Sequence, residues 1–282
     1  MPDPGSPSHY VHGTDPGEQQ RLATLNRLLN DSSLAEMRLC GGERILDLGS
    51  GLGQFTRAMA RVAGSTGHVV GVERSAEQIA AAARMADADG EGGLIEQRQG
   101  NADRLPLTDQ EWGSFDLAHA RFVLEHLPDP APVVASMVAA VRPGGRIILE
   151  DDDHAQLTIW PEVPGFMGLW EAYVAAYRRA GNDPFIGRRL VSLLHAAGGR
   201  VVRSTMLFFG AGAGEKTFPA VAENFVAILR GARAQIVEEG GLAGDVFAST
   251  MERFTDWVGR PDAALWYTRS WAEAQRPENA KT

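Results

Sequence analysis

Apolar positions along the chain follow two alternating patterns. Short apolar runs, typical of buried strands, lie near residues 44–48, 68–73, 94–99, 115–119, 145–150, 200–208 and 264–271. Between them, apolar residues recur at helical spacing near 54–63, 75–89, 130–141 and 187–198, after an N-terminal helix that begins near Asp15 and a second, short helix near 33–39. Because strands that alternate with helices form mostly parallel sheets covered on both faces, the pattern predicts a doubly wound α/β fold.

Two stretches do not follow this alternation of predicted strands and helices. Residues 151–186 are rich in aromatic side chains, and residues 210–263 contain two further predicted helices, near 218–239 and 244–258. We expect both stretches to fold together as a helical cap over the carboxyl edge of the sheet, where open α/β sheets bind ligands. The predicted divisions are an N-terminal segment (1–40), the core (41–150, continued by 187–209 and 264–275) and the two cap insertions.

A glycine-rich turn joins the first strand to the first core helix. Gly49, Gly51 and Gly53 follow the first apolar run and allow backbone to lie directly against a ligand. The dinucleotide fingerprint that starts at Gly49 requires a further glycine where Gln54 stands. The turn therefore predicts a nucleoside-like ligand without the pyrophosphate of NAD.

Two acidic residues follow later strands. Glu73 ends an apolar strand about 20 residues after the last glycine, at the distance where a carboxylate accepts hydrogen bonds from both ribose hydroxyls. Asp103 lies in the polar segment 99–106, where its carboxylate is suited to accept a hydrogen bond from an adenine amino group. Together they indicate an adenosine-containing ligand.

The order and spacing of these motifs, with Ser114–Pro130 and Val141–Arg146, resemble the class I S-adenosylmethionine-dependent methyltransferases, close to the ubiquinone/menaquinone-biosynthesis type. The resemblance is strong over about residues 40–150. It implies a Rossmann-like sheet of seven strands with a reversed final strand, which suits residues 264–271. It also implies S-adenosylmethionine as cofactor and S-adenosylhomocysteine as product.

The resemblance assigns roles to individual residues. It implies Gly49 and Gly51 against the methionine moiety, Glu73 on the ribose, Asp103 at the adenine and Arg121 near the methionine end. The segment 10–15 resembles the lid of some relatives, whose cofactor carboxylate would meet Tyr10 or Arg21. The other residues that we expect to contact the cofactor are Gln54, Arg74 and Ala102.

Methyl transfer requires mainly that the acceptor be held in line with the electrophilic methyl group and that water be excluded. A general base is needed only when the acceptor carries a proton at the working pH. The candidate bases are His154, which follows three aspartates past the fifth strand, and His126, whose surrounding motif is more typical of a structural role. Since three adjacent residues cannot all point into one site, we predict no metal there.

Aromatic residues of the first cap insertion recur at helical spacing. Such a stripe is typical of a core, but within a cap it is also suited to hold an apolar or aromatic substrate. We expect the opposite wall to come from Phe208, Phe209, Phe218 and Phe225. The residues predicted to contact the substrate are Asp151, Asp153, Trp160, Phe166, Trp170 and Tyr173.

Composition narrows the class of partner. The formal net charge is -9 over 282 residues, which disfavours a nucleic-acid partner. The single cysteine, Cys40, is typical of a reducing cytoplasm, and no apolar run predicts a membrane span. We therefore expect a cytoplasmic enzyme with a small-molecule substrate; homodimer formation stays open.

The predicted activity is methyl transfer to oxygen, nitrogen or carbon of a small hydrophobic or aromatic metabolite. One alternative is a protein of the same fold that binds the cofactor without transferring the methyl group, such as a cyclase. A nicotinamide-dependent dehydrogenase is the other alternative, which Gln54 disfavours.

Overall fold

A computed structural model describes residues 29–278 of the protein. The predicted lid residues Tyr10 and Arg21, and the predicted helix start near Asp15, lie outside this range. The described residues form two compact units. The sheet unit comprises residues 29–153, 185–208 and 268–278, and the helical unit comprises residues 154–184 and 209–267. Both predicted interruptions of the α/β rhythm thus contribute to the helical unit; the placement of this cap over the sheet edge stays a prediction.

Helices and strands alternate through the first half of the chain. In chain order they are α1 (29–37), β1 (Arg44–Leu48), α2 (Gln54–Ala63), β2 (His68–Glu73), α3 (Ala76–Ala88), β3 (Glu96–Gln99), β4 (Phe115–Arg121), α4 (Ala131–Ala140) and β5 (Val141–Asp152). The second half contains β6 (Thr158–Trp160), α5 (Phe166–Arg179), α6 (Leu190–Ala196), β7 (Arg200–Gly212), α7 (Phe218–Gly231), α8 (Arg233–Glu238), α9 (Gly244–Val258) and β8 (Ala264–Gln275). No helix within residues 29–278 is both long enough and apolar enough to cross a bilayer.

The sheet confirms the predicted doubly wound α/β class. Its strand order is β3-β2-β1-β4-β5-β8-β6, and β7 pairs with β8. Strands β1 to β5 pair in parallel, whereas β8 runs antiparallel to β5 and so is the reversed final strand. The described residues contain eight strands rather than the predicted seven. The additional strand is β6, whose three residues are too few to produce a recognisable period.

Alternation along the strands divides the sheet unit into two cores. On β1, Ile45 packs with α1 and α2 on one face, whereas Leu46 packs with α4 and α6 on the other. On β2, Val69 belongs to the core beneath α1 and α2, and Val70 belongs to the core beneath α4 and α6. Because successive side chains of a strand point to opposite faces, a continuous apolar run fills both cores.

Some predicted boundaries differ from the structure. The described part of the helix predicted near 33–39 covers residues 29–37, and the helix ends before Arg38, which has a left-handed φ of 51°. The helix predicted near 218–239 is two helices, separated at Ala232. Residues 141–144, predicted outside the fifth strand, belong to β5, whose register with β4 shifts between Phe115 and Leu117.

A buried ion pair joins β5, β8 and α1. Glu150 and Arg269 are 0% and 1% exposed and contact each other directly. The Ser33 hydroxyl donates to Glu150 Oε1 at 3.0 Å, and Arg269 Nη2 donates to Ser32 Oγ at 2.8 Å. Since each charge has lost its water, the two must stay paired for either to be tolerated.

We expect Arg269→Met to lower the free energy of unfolding by about 3–5 kcal/mol, because the buried Glu150 loses the guanidinium that contacts it directly. Replacing both partners, as Arg269→Met with Glu150→Leu, should restore much of this loss. Urea unfolding measures all three proteins. Arg260→Met, which breaks the exposed Arg260–Asp262 pair, is the control and should change little. An Arg269→Met protein as stable as this control would contradict the assignment.

Candidate functional site

The glycine loop after β1 lies against the carboxyl end of β2. The N–H groups of Gly49 and Ser50 both donate to Val72 O, at 2.8 and 3.0 Å. Gly49, Gly51 and Gly53 have φ values of 69°, 52° and 69°, a region that only glycine adopts routinely. A Cβ on Gly49 would lie 2.4 Å from Val123 Cγ2. The loop therefore tolerates no side chain at Gly49 and presents bare backbone at the strand ends.

The carboxylate of Glu73 fixes this loop from the end of β2. Gly51 N–H donates to its Oε2 at 3.1 Å, and Ser75 N–H donates to its Oε1 at 2.8 Å. Each carboxylate oxygen accepts more than one hydrogen bond, so this half-buried carboxylate keeps acceptor capacity for two further donors. An oriented carboxylate beside bare backbone fits the diol and the adjoining chain of an adenosine-type ligand.

The segment after β3 lies next to the same strand end. Gly100 N–H donates to Glu73 O at 3.0 Å, and Gln99 Nε2 donates to Arg74 O at 3.3 Å. Asp103 and Arg74 are exposed and Ala102 is half-buried. The structure therefore brings the predicted ribose acid and the predicted adenine segment to one edge of the sheet.

Arg121, at the end of β4, is held between α1 and α2. Its guanidinium carbon lies 4.2 Å from the ring centroid of Phe55, and its Nη2 donates to Asn30 Oδ1 at 2.9 Å. Burial lowers the pKa of Arg121 to about 10, although the negative charge of Glu150 opposes this shift. Arg121 thus stays protonated near neutral pH, as a half-buried cation.

Gln54 begins α2 directly after the glycine loop. Its Oε1 is buried and accepts no hydrogen bond from residues 29–278. A buried acceptor without a donor is costly, so this amide is suited to accept a hydrogen bond from a ligand.

Sequence reasoning missed a buried acid–histidine pair behind the glycine loop. Asp47 Oδ1 lies 2.7 Å from His119 Nδ1, and Thr56 Oγ1 donates to Asp47 Oδ2 at 2.6 Å. The pair joins β1, β4 and α2, so it fixes the strand from which the loop starts. The detectable signal was one acid inside the apolar run Ile-Leu-Asp-Leu.

Both carboxylates that were predicted to contact the substrate, those of Asp151 and Asp153, accept hydrogen bonds from other protein groups. Asp151 Oδ2 accepts a hydrogen bond from Leu124 N–H at 3.0 Å. Burial and the neighbouring charge of Asp152 raise the pKa of Asp151 well above its ordinary value. Asp153 accepts two hydrogen bonds from Arg188, both at 2.7 Å. At the end of β5, Asp151 therefore holds the turn at Leu124 and Asp153 holds the segment that contains Arg188.

The two candidate bases lie in different surroundings. His126 lies in a short 3-10 turn, Leu124–His126, with its Nε2 3.6 Å from Glu125 Oε1. His154 belongs to the helical unit, where its backbone oxygen accepts a hydrogen bond from Trp170 Nε1 at 2.8 Å. This hydrogen bond fixes the backbone of His154, from which the imidazole projects.

Aromatic rings surround the His154 side chain within the helical unit. The ring stacks on Tyr173, at 5.6 Å between centroids and 10° between planes, and lies 5.5 Å from Trp170 and 5.3 Å from Tyr177. Phe225, from the second interruption, lies 6.0 Å from Trp170. We call these five residues the aromatic cluster. They bring a predicted base and two predicted substrate residues together.

Two other predicted substrate residues lie elsewhere. Phe166 is buried against Phe254, with 4.5 Å between ring centroids. Trp160, on β6, is 58% exposed. Neither makes a ring contact with His154 among the described residues.

Residues 46–149 match the model of a family described as a methyltransferase domain. A demethylmenaquinone methyltransferase of Lactobacillus johnsonii is 30% identical over 189 residues, which are 63% of this chain and 76% of that protein. The chain spans about half the length of the first curated relatives it matches, between 43% and 56%.

Solved structures share the fold at low identity. An S-adenosylmethionine-dependent methyltransferase from Aquifex aeolicus is 18% identical with a TM-score of 0.52, covering 68% of this chain and 93% of that one. The [4+2]-cyclase SpnF is 19% identical with a TM-score of 0.56, covering 98% and 99%. These likenesses show the fold alone.

Proposed function

The chain belongs to the class I S-adenosylmethionine-dependent methyltransferases, and we propose that it transfers a methyl group to oxygen, nitrogen or carbon of a small hydrophobic or aromatic acceptor. The observation that carries the proposal is the Glu73 carboxylate, oriented by the N–H groups of Gly51 and Ser75 beside bare glycine backbone. The absence of a third fingerprint glycine at Gln54 favours a ligand without pyrophosphate.

The cofactor residues are proposed from this geometry and the family resemblance. Glu73 accepts from the ribose hydroxyls, Asp103 accepts from the adenine amino group, and the Arg121 cation pairs with the methionine carboxylate. Gln54 supplies its buried acceptor to the cofactor amine. The remaining proposed contacts are Gly49, Gly51, Arg74 and Ala102, with Tyr10 and Arg21 proposed from the sequence alone.

Catalysis by this chain is proposed to rest on positioning. S-adenosylmethionine supplies an electrophilic methyl group on its sulfonium. The protein's part is to hold the acceptor atom in line, to exclude water and, where the acceptor carries a proton, to receive that proton. We propose His154 for this last role ahead of His126, because its ring is fixed among aromatic rings that exclude water.

We propose that side chains of the helical unit select the acceptor. Trp170 and Tyr173 lie next to His154 and are proposed to contact an aromatic acceptor; because the two rings are only 4% and 2% exposed, the acceptor reaches them only where these rings separate. Phe166 is proposed to support these rings from the core and Trp160 to add an exposed ring. Asp151 and Asp153 are proposed to act by holding turns, since their oxygens already accept protein donors.

The direct test is transfer of label from methyl-labelled S-adenosylmethionine to a phenol, an aromatic amine and a naphthoquinol, which sample the three acceptor atoms. We expect stoichiometric S-adenosylhomocysteine with labelled product from one class. Binding of S-adenosylhomocysteine with no transfer to any acceptor would favour the cofactor-binding alternative. Preferential binding of NADH would favour the dehydrogenase.

Glu73→Gln is expected to weaken S-adenosylhomocysteine binding at least ten-fold, about 1.4 kcal/mol, because the amide loses one acceptor and the negative charge. Isothermal calorimetry measures the affinity. Glu77→Gln, on the exposed first turn of α3, is the matched control and should bind normally. Unchanged affinity in Glu73→Gln would refute the ribose assignment.

His154→Phe is expected to lower turnover at least about 100-fold with a proton-bearing acceptor, because the ring packing is kept while the basic nitrogen is lost. His126→Phe should lower it less. Steady-state rates at saturating cofactor compare the two, and thermal unfolding checks that both variants fold. A larger loss in His126→Phe would reverse the ranking.

A further inference from the structure

The turn that follows β4 contains a bulky residue in an unusual backbone conformation. Phe122 has a φ of 56°, in the left-handed region that residues with a Cβ disfavour. Within residues 29–278, Arg38 at the end of α1 is the other non-glycine residue with a positive φ. Because such a conformation persists only where the surrounding structure enforces it, the position of Phe122 requires a physical explanation.

The backbone hydrogen bonds of this turn do not explain a side chain at residue 122. Phe122 N–H donates to Glu150 O at 3.1 Å, and Leu124 N–H donates to Asp151 Oδ2 at 3.0 Å. Both bonds fix the turn to β5 through backbone donors, which glycine possesses as well. Since glycine adopts a positive φ without steric strain, the turn alone favours glycine at this position.

The same turn lies against the glycine loop. Val123 packs on Gly49, since a Cβ on Gly49 would lie 2.4 Å from Val123 Cγ2. Arg121, which we propose to pair with the methionine carboxylate, is the last residue of β4. Phe122 therefore lies between a residue that packs on the glycine loop and the proposed carboxylate-binding cation.

The ring of Phe122, like that of Phe55, contacts the Arg121 guanidinium. The guanidinium carbon of Arg121 lies 5.8 Å from the ring centroid of Phe122 and 4.2 Å from that of Phe55. Both distances are within the range of cation–π attraction. Asn30 Oδ1 accepts a hydrogen bond from Nη2 of the same guanidinium at 2.9 Å. Two rings and one amide thus restrict the orientation of this half-buried cation.

We propose that Phe122 is a positioning residue for cofactor binding. Its left-handed backbone holds the ring against Arg121, and the ring fixes the guanidinium in the orientation that receives the methionine carboxylate. Glycine at residue 122 would remove the backbone strain but would also remove the ring. The inference rests on the proposed function, in which Arg121 binds the cofactor carboxylate.

Three substitutions separate the backbone strain from the ring. Phe122→Gly removes both, Phe122→Ala removes the ring and keeps the strained Cβ, and Phe122→Tyr keeps both. We expect Phe122→Gly to unfold at a higher temperature than Phe122→Ala, because only glycine adopts a positive φ freely. Unfolding of Phe122→Gly at the same temperature as Phe122→Ala, or at a lower one, would overturn the assignment of strain.

Calorimetric titration of the full chain with S-adenosylhomocysteine measures the role of the ring. We expect Phe122→Gly and Phe122→Ala each to raise the dissociation constant about five-fold, because a cation–π contact is lost, and Phe122→Tyr to keep the native value. Arg38→Gly is the control, since it relieves a positive φ of 51° beneath a side chain that is 70% exposed. It should leave the dissociation constant unchanged.

A double-mutant cycle tests whether the ring acts through Arg121. In an Arg121→Met background, Phe122→Ala should change the dissociation constant little, because the cation that the ring orients is absent. A five-fold change in that background would show that the ring acts on the cofactor by another route and would overturn the positioning role. Native affinity in Phe122→Gly, or equal weakening in Arg38→Gly or Phe122→Tyr, would overturn it as well.

The outcomes distinguish this inference from the proposed function. Failure of the native protein to bind S-adenosylhomocysteine would overturn both. Native binding together with unchanged affinity in Phe122→Gly would overturn the role of Phe122 alone.

Discussion

The carboxylate of Glu73 is the interaction on which the candidate site depends. One side chain ends β2, accepts from the glycine loop through Gly51 and accepts from Ser75 at the start of α3. Glutamine would leave one of these two backbone donors without an acceptor and alanine would leave both, so only the bonds to Val72 O would then hold the loop to β2. In this geometry the half-buried Glu73 carboxylate can still accept further hydrogen bonds. The carboxylate therefore orders the loop and is also the proposed contact to the cofactor ribose.

One face of the sheet carries two buried polar pairs and a half-buried cation. Asp47 pairs with His119, Glu150 pairs with Arg269, and Arg121 stacks on Phe55. The opposite face, beneath α4 and α6, holds the larger apolar core, with the buried Asp151 at its edge. Buried ion pairs seldom add stability over a well-packed apolar core, but they fix one arrangement because losing either partner is costly. This face is therefore suited to hold strand ends and α1 in one register for ligand binding.

The fold alone does not define the chemistry. A methyltransferase and a [4+2]-cyclase share it at 18% and 19% identity, with TM-scores of 0.52 and 0.56. The distinction therefore rests on side chains that this chain places itself, above all the aromatic cluster around His154. In the proposed function these rings contact a flat acceptor, and the histidine takes a proton only if the acceptor supplies one. The identity of the acceptor decides whether that base is used.

The sequence by itself determined the α/β class, the place of the glycine loop after β1 and the position of Glu73 at the end of β2. These features follow from periodicity and spacing over short stretches of the chain. The reversed final strand came from family resemblance rather than from periodicity. Only the tertiary structure decided which polar residues meet. Asp47 with His119, and Glu150 with Arg269, are 72 and 119 positions apart, and such pairings leave no periodic signal. The structure likewise decided that Asp151 and Asp153 hold turns, since the donors that engage them come from distant segments of the chain.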